Sequence, residues 1–251
     1  MKQSSAVVRI FSDPGTMDHA AAGLVAAACW DAIAKQGRFT MALSGGNTPR
    51  GLYRLLAEAP YRDQIDWTAS HFYWVDERSV SPDHKDSNFR IAYELFLSRV
   101  PVPQNNIHRI RGEDGPKAAA FAYEEELRTS FKEPVPVFDL VLLGMGSDGH
   151  TASLFPSHPA VEESARFVVP VTDGPGGQQR ITMTLPVLSH AAMVLFLVAG
   201  QAKAEAISMV LEQGNSGHYP AGMLSSRSSS VRWFLDCAAA KRLKEYTQKC
   251  S

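Results

Sequence analysis

The 251-residue sequence lacks the features that mark several classes of protein. Basic and acidic residues are nearly equal in number, 25 against 26, so the net charge of -1 indicates no nucleic-acid or membrane partner. The longest apolar stretches, 20–30 and 191–199, are far shorter than the roughly 20 residues of a bilayer span, and the N-terminus has no apolar signal core. These absences predict a cytoplasmic protein.

Cysteine and the common catalytic motifs are also scarce. The three cysteines, Cys29, Cys237 and Cys250, show no C-x-x-C spacing, which predicts reduced thiols. The eight histidines include no H-E-x-x-H pair, and there is no G-x-S-x-G nucleophile elbow. We therefore expect no metal site and no serine hydrolase of the α/β-hydrolase type.

Short apolar runs alternate with helical stretches along the chain. Runs such as 39–43 and 193–198 have no helical period and predict buried strands, whereas 16–36 predicts a long helix. This alternation predicts one α/β domain over residues 1–251, with a mostly parallel sheet and helices on both faces. Further strands are expected over 167–171 and 180–184, and a terminal amphipathic helix over 238–248.

The most informative stretch, 138–156, has the sequence FDLVLLGMGSDGHTASLFP. Its apolar beginning predicts a buried strand, and the three glycines that follow predict a turn in which a ligand can approach the backbone closely. That turn would deliver Asp148 and His150 to the carboxyl end of the strand, where α/β sheets bind ligands. The stretch therefore predicts a catalytic turn.

Two other interpretations fit the same glycines. Their spacing matches the dinucleotide fingerprint G-x-G-x-x-G, but Pro156 and Pro159 limit any following helix to about two turns, which is too short for such a site. An ordinary tight turn with a solvated histidine is the second alternative, because turns recruit glycine and aspartate without any function.

A second polar cluster follows the strand over 39–43. It combines two glycines with hydroxyl and amide side chains and leads into a predicted helix over 49–58, so backbone N–H groups and the positive helix end are available to an anion such as phosphate. It lacks the Gly-Lys-Ser/Thr ending of a Walker loop. The alternative is an ordinary helix cap. The candidate phosphate-binding residues are Ser44, Gly45, Gly46, Asn47 and Thr48.

Two more clusters follow predicted strands. Asp76, Glu77 and Arg78 come after the strand over 71–75, and Lys203 lies in the first turn of a helix predicted over 201–213. Each has a simpler interpretation, a solvated turn for the charge run and a solvated side chain for the lysine. Because parallel strands end at one edge of a sheet, we expect all four clusters to line a single crevice.

Six blocks of the sequence carry a family resemblance. In this order, and spread over nearly the whole chain, they resemble the 6-phosphogluconolactonase family, a relative of glucosamine-6-phosphate deaminase. The resemblance implies a Rossmann-like fold and the hydrolysis of 6-phospho-D-glucono-1,5-lactone to 6-phosphogluconate, without metal or cofactor, in the oxidative pentose phosphate pathway. The blocks are LSGGNTP (43–49), VDER (75–78), SN (87–88), LLGMGSDGHTASLFP (142–156), RITMTLP (180–186) and AGQAKAEAI (199–207).

One residue separates the two related activities. The deaminase is expected to carry a catalytic glutamate directly before the proline that ends the fourth block, and here that position is Phe155. A phenyl ring cannot exchange a proton, so ring-opening acid–base chemistry loses a participant while hydrolysis need not. Phe155 favours the lactonase over a deaminase-like isomerase or a non-catalytic sugar-phosphate-binding module.

These residues suggest a division of roles. His150 is the expected general base, because histidine side chains are mostly neutral at physiological pH. Arg78 is expected to contact the carbonyl oxygen or a bound anion, while Asp76 and Asp148 orient catalytic groups. Arg180 and Lys203 join residues 44–48 as the expected phosphate anchor. The expected partner is a phosphorylated sugar lactone, bound by a monomer or a homodimer.

Overall fold

The computed structural model describes residues 6–212 and 218–244. Ten strands and eight α-helices lie within these residues. The strands are β1 (Val7–Phe11), β2 (Phe39–Leu43), β3 (Ser70–Trp74), β4 (Asp76–Arg78), β5 (Ile107–His108), β6 (Leu140–Leu143), β7 (Val168–Val171), β8 (Arg180–Met183), β9 (Val194–Val198) and β10 (Val231–Asp236). The helices are α1 (Pro14–Gln36), α2 (Arg50–Leu56), α3 (Tyr61–Gln64), α4 (Asn88–Leu95), α5 (Pro116–Ser130), α6 (Leu185–Ser189), α7 (Ala204–Leu211) and α8 (Pro220–Arg227).

Seven strands form one sheet in the order β1-β10-β9-β6-β2-β3-β5. Every neighbouring pair in it is parallel. The central strands β2, β6 and β9 are buried along their whole length, as their uninterrupted apolar sequences predict for strands covered on both faces. The predicted α/β class with a mainly parallel sheet is confirmed.

A second sheet was not predicted. Its order is β4-β8-β7 and both pairs are antiparallel. The sequence predicted strands at β7 and β8 within a single, mostly parallel sheet, and it predicted a loop at β4. The loop prediction was wrong because charged residues normally indicate solvent, whereas Asp76 and Glu77 are buried with their own hydrogen-bond partners.

Helix α1 packs against the parallel sheet through one face of small residues. Val25 is buried, whereas Trp30 of the same helix is 71% exposed. Five helical residues turn the direction of a side chain by about 140° from that of Val25, so Trp30 lies on the solvent side. The helix ends as predicted, at Gly37 in the left-handed conformation.

The C-terminal region departs from the prediction. Residues 237–244 form turns rather than the predicted helix, and the rest of that prediction lies outside the described residues. Cys29 is a free, buried thiol, as predicted. Cys237 is disulfide-bonded, so the prediction of a reduced thiol there is wrong, and Cys250 lies outside the described residues. Across 6–212 and 218–244, no helix is long and apolar enough to cross a membrane.

Candidate active site

A cleft of about 400 Å³ lies where β2, β6 and β9 end. Its lining includes Ser44 after β2, Gly144 after β6 and Ala199 after β9, so the carboxyl ends of three neighbouring parallel strands meet there. Every site residue predicted from the sequence lines this cleft except Asp148, which is hydrogen-bonded to the lining residue His150. The structure thus brings the four clusters to one place.

The turn after β6 holds Asp148 and His150 as a hydrogen-bonded pair. The Nδ1 atom of His150 lies 2.6 Å from Oδ1 of Asp148, and the His150 backbone N–H donates to the same oxygen at 3.2 Å. Burial opposes ionisation of Asp148, but the charge and hydrogen bonds of His150 outweigh it and lower the pKa of that carboxyl group. Since Asp148 occupies Nδ1, Nε2 is the ring nitrogen available to a bound molecule.

Gly146 leaves the space in which this pair sits. A Cβ atom at position 146 would lie 2.2 Å from Nδ1 of His150 and 2.3 Å from Oδ1 of Asp148. Distances below 3.0 Å are not tolerated, so any side chain at position 146 would displace the pair. The glycine of this turn is therefore required by close approach.

Phe155 packs between two cleft residues. Its ring centroid is 4.8 Å from that of His150, and the guanidinium carbon of Arg180 lies 5.6 Å from the same ring. An apolar ring therefore occupies the space beside His150, and it offers no group that can exchange a proton.

Asp76 has a different set of partners from Asp148. Its Oδ2 accepts from the Ser153 hydroxyl at 2.6 Å, and its Oδ1 accepts from the Asn88 amide at 3.1 Å. Asn88 also donates to the Asp76 carbonyl oxygen at 2.9 Å. Asp148 is therefore the carboxylate that is hydrogen-bonded to His150, while Asp76 joins β4 to Ser153 and to the start of α4.

Arg78 and Arg180 face each other across β4 and β8. They are register partners in this antiparallel pair, so two like charges lie opposite one another, an arrangement that is unfavourable without a counter-charge. Burial and the charge of Arg78 lower the pKa of Arg180, although Asp76 opposes this. The Nε atom of each arginine is buried with no hydrogen-bond partner among the described residues. The arrangement suits a bound anion.

The loop over 44–48 differs in one respect from the prediction. The Ser44 hydroxyl is buried and has no partner in the described part of the chain, so it is available to a ligand. Helix α2 begins at Arg50, and the Asp18 carboxylate from α1 lies against its first turn, where a Cβ atom on Gly51 would be 1.8 Å from Oδ2 of Asp18. Burial raises the pKa of Asp18 to about 6. Part of the positive helix end that we expected to bind phosphate is thus occupied by this carboxyl group.

Lys203 lines the cleft and follows β9, which lies on the other side of β6 from β2. It ends a 3-10 turn, Gln201–Lys203, directly before α7, and it is partly exposed. The preceding Gly200 has a φ of 95°, and its N–H donates to both carboxylate oxygens of Asp236 at 3.0 Å. These contacts fix the backbone from which Lys203 extends.

The chain matches a known protein family over most of its length. The family model described as "Glucosamine-6-phosphate isomerases/6-phosphogluconolactonase" matches residues 12–233. The chain belongs to this family.

Individual relatives agree with this membership. A protein named 6-phosphogluconolactonase 3, chloroplastic, from Arabidopsis thaliana is 44% identical over 83% of the chain, and the chain spans 66% of that relative's length. A 6-phosphogluconolactonase from Synechocystis is 41% identical over 85% of the chain and 88% of the relative. The crystal structure of 6-phosphogluconolactonase from Leishmania guyanensis superposes with a TM-score of 0.83 at 30% identity, covering 95% of this chain and 99% of that one.

Several cleft residues of this family member were not predicted. Asn88 lines the cleft, and its only sequence signal was its place in the short SN block that carries the resemblance. Ala152 lines it in a left-handed backbone conformation, with a φ of 49°, which no local sequence pattern indicates. Met145 and Ala199 add apolar surface. Among the described residues, no group of three or more His, Cys, Asp or Glu side chains is arranged to hold a metal ion.

Proposed function

We propose that this protein is a 6-phosphogluconolactonase that hydrolyses 6-phospho-D-glucono-1,5-lactone to 6-phospho-D-gluconate, the second step of the oxidative pentose phosphate pathway. The observation that carries the proposal is the Asp148–His150 pair, placed in the same cleft as the facing arginines Arg78 and Arg180. Family membership and the names of the relatives support it.

In this proposal His150 activates water. Nδ1–H of the ring donates a hydrogen bond to Asp148, so Nε2 carries the lone pair that removes a proton from water as it attacks the lactone carbonyl. Arg78 stabilises the negative charge that develops on the carbonyl oxygen. The ring oxygen leaves as the hydroxyl group of the product, and it takes up the proton held by His150. Neither a metal nor a cofactor is required.

The phosphate group of the substrate binds at the other part of the cleft. Arg180 offers a planar fork of donors, Lys203 a point charge, and the backbone of residues 44–48 neutral N–H groups. The Ser44 hydroxyl, which has no partner within 6–212 and 218–244, adds a further donor. This anchor would fix the lactone carbonyl near His150, which lowers the entropy cost of reaction.

A deaminase-like isomerase is the second candidate function. Phe155 disfavours it, because the ring beside His150 provides no acid or base for ring opening. A non-catalytic sugar-phosphate-binding module would keep the anion site but has no need for a carboxylate-oriented histidine.

The decisive experiment mixes the protein with freshly prepared 6-phosphogluconolactone and follows acid release above the spontaneous rate. Release of ammonia from glucosamine 6-phosphate is the parallel assay. We expect lactone hydrolysis, no ammonia release, and full activity in the presence of a chelator. Ammonia release would favour the isomerase, and activity lost to a chelator and restored by a divalent ion would contradict the metal-free mechanism.

Two aspects of the proposal concern the protein in the cell. A monomer or homodimer is expected, and light scattering of the purified protein measures which one forms. A cytoplasmic location is expected as well, and fractionation of cells with an antibody against the protein tests it; two relatives named above differ here, since only the one from Arabidopsis is called chloroplastic.

A further inference from the structure

Glu77 is a buried carboxylate that does not line the cleft. It is 2% exposed. Its Oε1 accepts the backbone N–H groups of Arg78 and Asn88, each at 2.7 Å. Its Oε2 accepts the Phe89 N–H at 2.8 Å and the Ser87 hydroxyl at 3.1 Å. Two of these donors, Arg78 and Asn88, belong to residues that line the cleft.

These bonds are part of a reciprocal connection between β4 and the start of α4. The flanking strand residues also take part: Asp76 accepts from the Asn88 side chain, and Arg78 Nη1 donates to the Asp86 carbonyl oxygen. Three consecutive residues of β4 thus bond to four consecutive residues, 86–89. Glu77 makes three of the six hydrogen bonds between β4 and residues 86–89, and it is the middle residue of the strand.

Helix capping alone does not account for this arrangement. Glu77 does accept the first N–H groups of α4, and a carboxylate at that position stabilises a helix. However, Ser87 already caps α4 by accepting from the Arg90 N–H. Burial raises the pKa of Glu77 to about 7, although the N–H groups of Asn88, Phe89 and Arg78 oppose this shift. Burying the ionised carboxylate at this position therefore costs free energy.

The consequence of this bonding is geometric. The Nε atom of Arg78 has no hydrogen-bond partner among the described residues. Arg180 lies opposite Arg78 in the β4–β8 pair, so repulsion between two like charges disfavours the observed position of the Arg78 side chain. Asn88 packs so closely on the anion loop that a Cβ atom on Gly45 would lie 1.7 Å from its Oδ1. Glu77 therefore contacts Arg78 at one side of the cleft, and through Asn88 it is connected to the loop over 44–48 at the other side.

We propose that Glu77 is a positioning residue of the active site, which sets the placement of Arg78 and Asn88 relative to each other without touching the substrate. The inference rests on the proposed function for its kinetic consequence only. A displacement of about 1 Å in a catalytic group can lower a rate about 100-fold, so loss of these bonds should be visible in catalysis as well as in stability.

The test is a double-mutant cycle between Glu77→Gln and Arg78→Ala, measured as kcat/KM for 6-phosphogluconolactone. The glutamine side chain keeps the shape of Glu77, but its NH2 group replaces an oxygen that accepts two hydrogen bonds. The two donors at that position would then face another donor and lose their bonds. We expect Glu77→Gln alone to lower kcat/KM by about tenfold or more, and to lower it by less than about threefold when Arg78 is already alanine.

Glu124→Gln is the matched control. Glu124 is also a buried carboxylate, at 4% exposure, and it bonds to Arg128 and Arg166 away from the cleft. This variant should lose stability but keep kcat/KM within about twofold. A fully additive cycle, or an equal loss of activity in Glu124→Gln, would overturn the proposal, because either result means that Glu77 acts only through general stability.

Hydrogen exchange provides a readout that does not depend on the activity. In Glu77→Gln the amides of Arg78, Asn88 and Phe89 should exchange faster relative to the rest of the sheet, and in Glu124→Gln they should not. Unchanged exchange at these amides would refute the positioning role even if the parent proves to be a lactonase. A parent without lactonase activity but with the predicted exchange would refute only the proposed function. If Glu77→Gln does not fold, Glu77→Asp replaces it in both measurements. Aspartate keeps the charge but is one methylene shorter, so its carboxylate lies farther from the donors, and the same outcomes are expected.

Discussion

A single methyl group at position 146 should disable the active site while leaving the fold intact. In Gly146→Ala the new Cβ would lie 2.2–2.4 Å from the His150 ring and the Asp148 carboxylate, whereas ordinary contacts begin at 3.4 Å. The pair must therefore move by about 1 Å. Misplacement of that size can reduce a rate about 100-fold, or about 2.7 kcal/mol of activation free energy, so we expect kcat to fall by about that factor.

The assay is steady-state lactone hydrolysis combined with thermal unfolding. Gly144→Ala is the stability control, because its Cβ would meet only the Leu197 carbonyl oxygen, at 4.0 Å, and its Tm should match that of the parent. If Gly146 acts through His150, then Gly146→Ala should have little further effect on kcat in a His150→Ala background. A folded Gly146→Ala protein that retains more than about a third of the parent kcat would refute the reasoning, since the pair would then tolerate displacement.

Three further predictions follow from the site. His150→Ala should lower kcat by about 10²–10⁴-fold with little change in KM, and a variant that keeps more than about a tenth of kcat would move the water-activating role elsewhere. Arg180→Ala and Lys203→Ala should each mainly raise KM, and gluconolactone without phosphate should be a poor substrate for the parent; equal efficiency on both lactones would contradict the phosphate anchor. Because the pKa of Asp18 is raised to about 6, its ionisation should lower the free energy of unfolding as the pH rises from about 4 through 6. Asp18→Asn should therefore be more stable than the parent at pH 8, by about 1–2 kcal/mol in chemical unfolding, and this difference should shrink toward pH 4.

The parts of the fold that depend on local sequence were predictable. The bounds of β2 match the prediction residue for residue, because an uninterrupted apolar run is a property of the strand itself. The end of α1 at Gly37 was equally clear, since a left-handed C-cap favours glycine. The crevice followed from the rule that parallel strands end together.

The second sheet and the fate of its charges were not predictable from one sequence. The pairing of β4 with β8 joins residues about a hundred positions apart, and no local pattern specifies such a register. A charge run such as Asp76, Glu77 and Arg78 indicates solvent unless its partners are known, and those partners lie in 86–89 and in Ser153. The roles assigned to these residues stay predictions.

The order of the parallel sheet has a consequence for how the chain is made. Strand β1 is at the edge of the sheet, and its neighbour is β10, the last strand in the described sequence. During synthesis Val7–Phe11 therefore waits for Val231–Asp236 to leave the ribosome before it finds its place in the sheet. At about 5–20 residues per second the delay lasts on the order of ten seconds or more, during which an unpaired strand is open to association with other chains. Strand β1 is thus made long before the strand that pairs with it, and separation of nascent chains from one another protects it during that time.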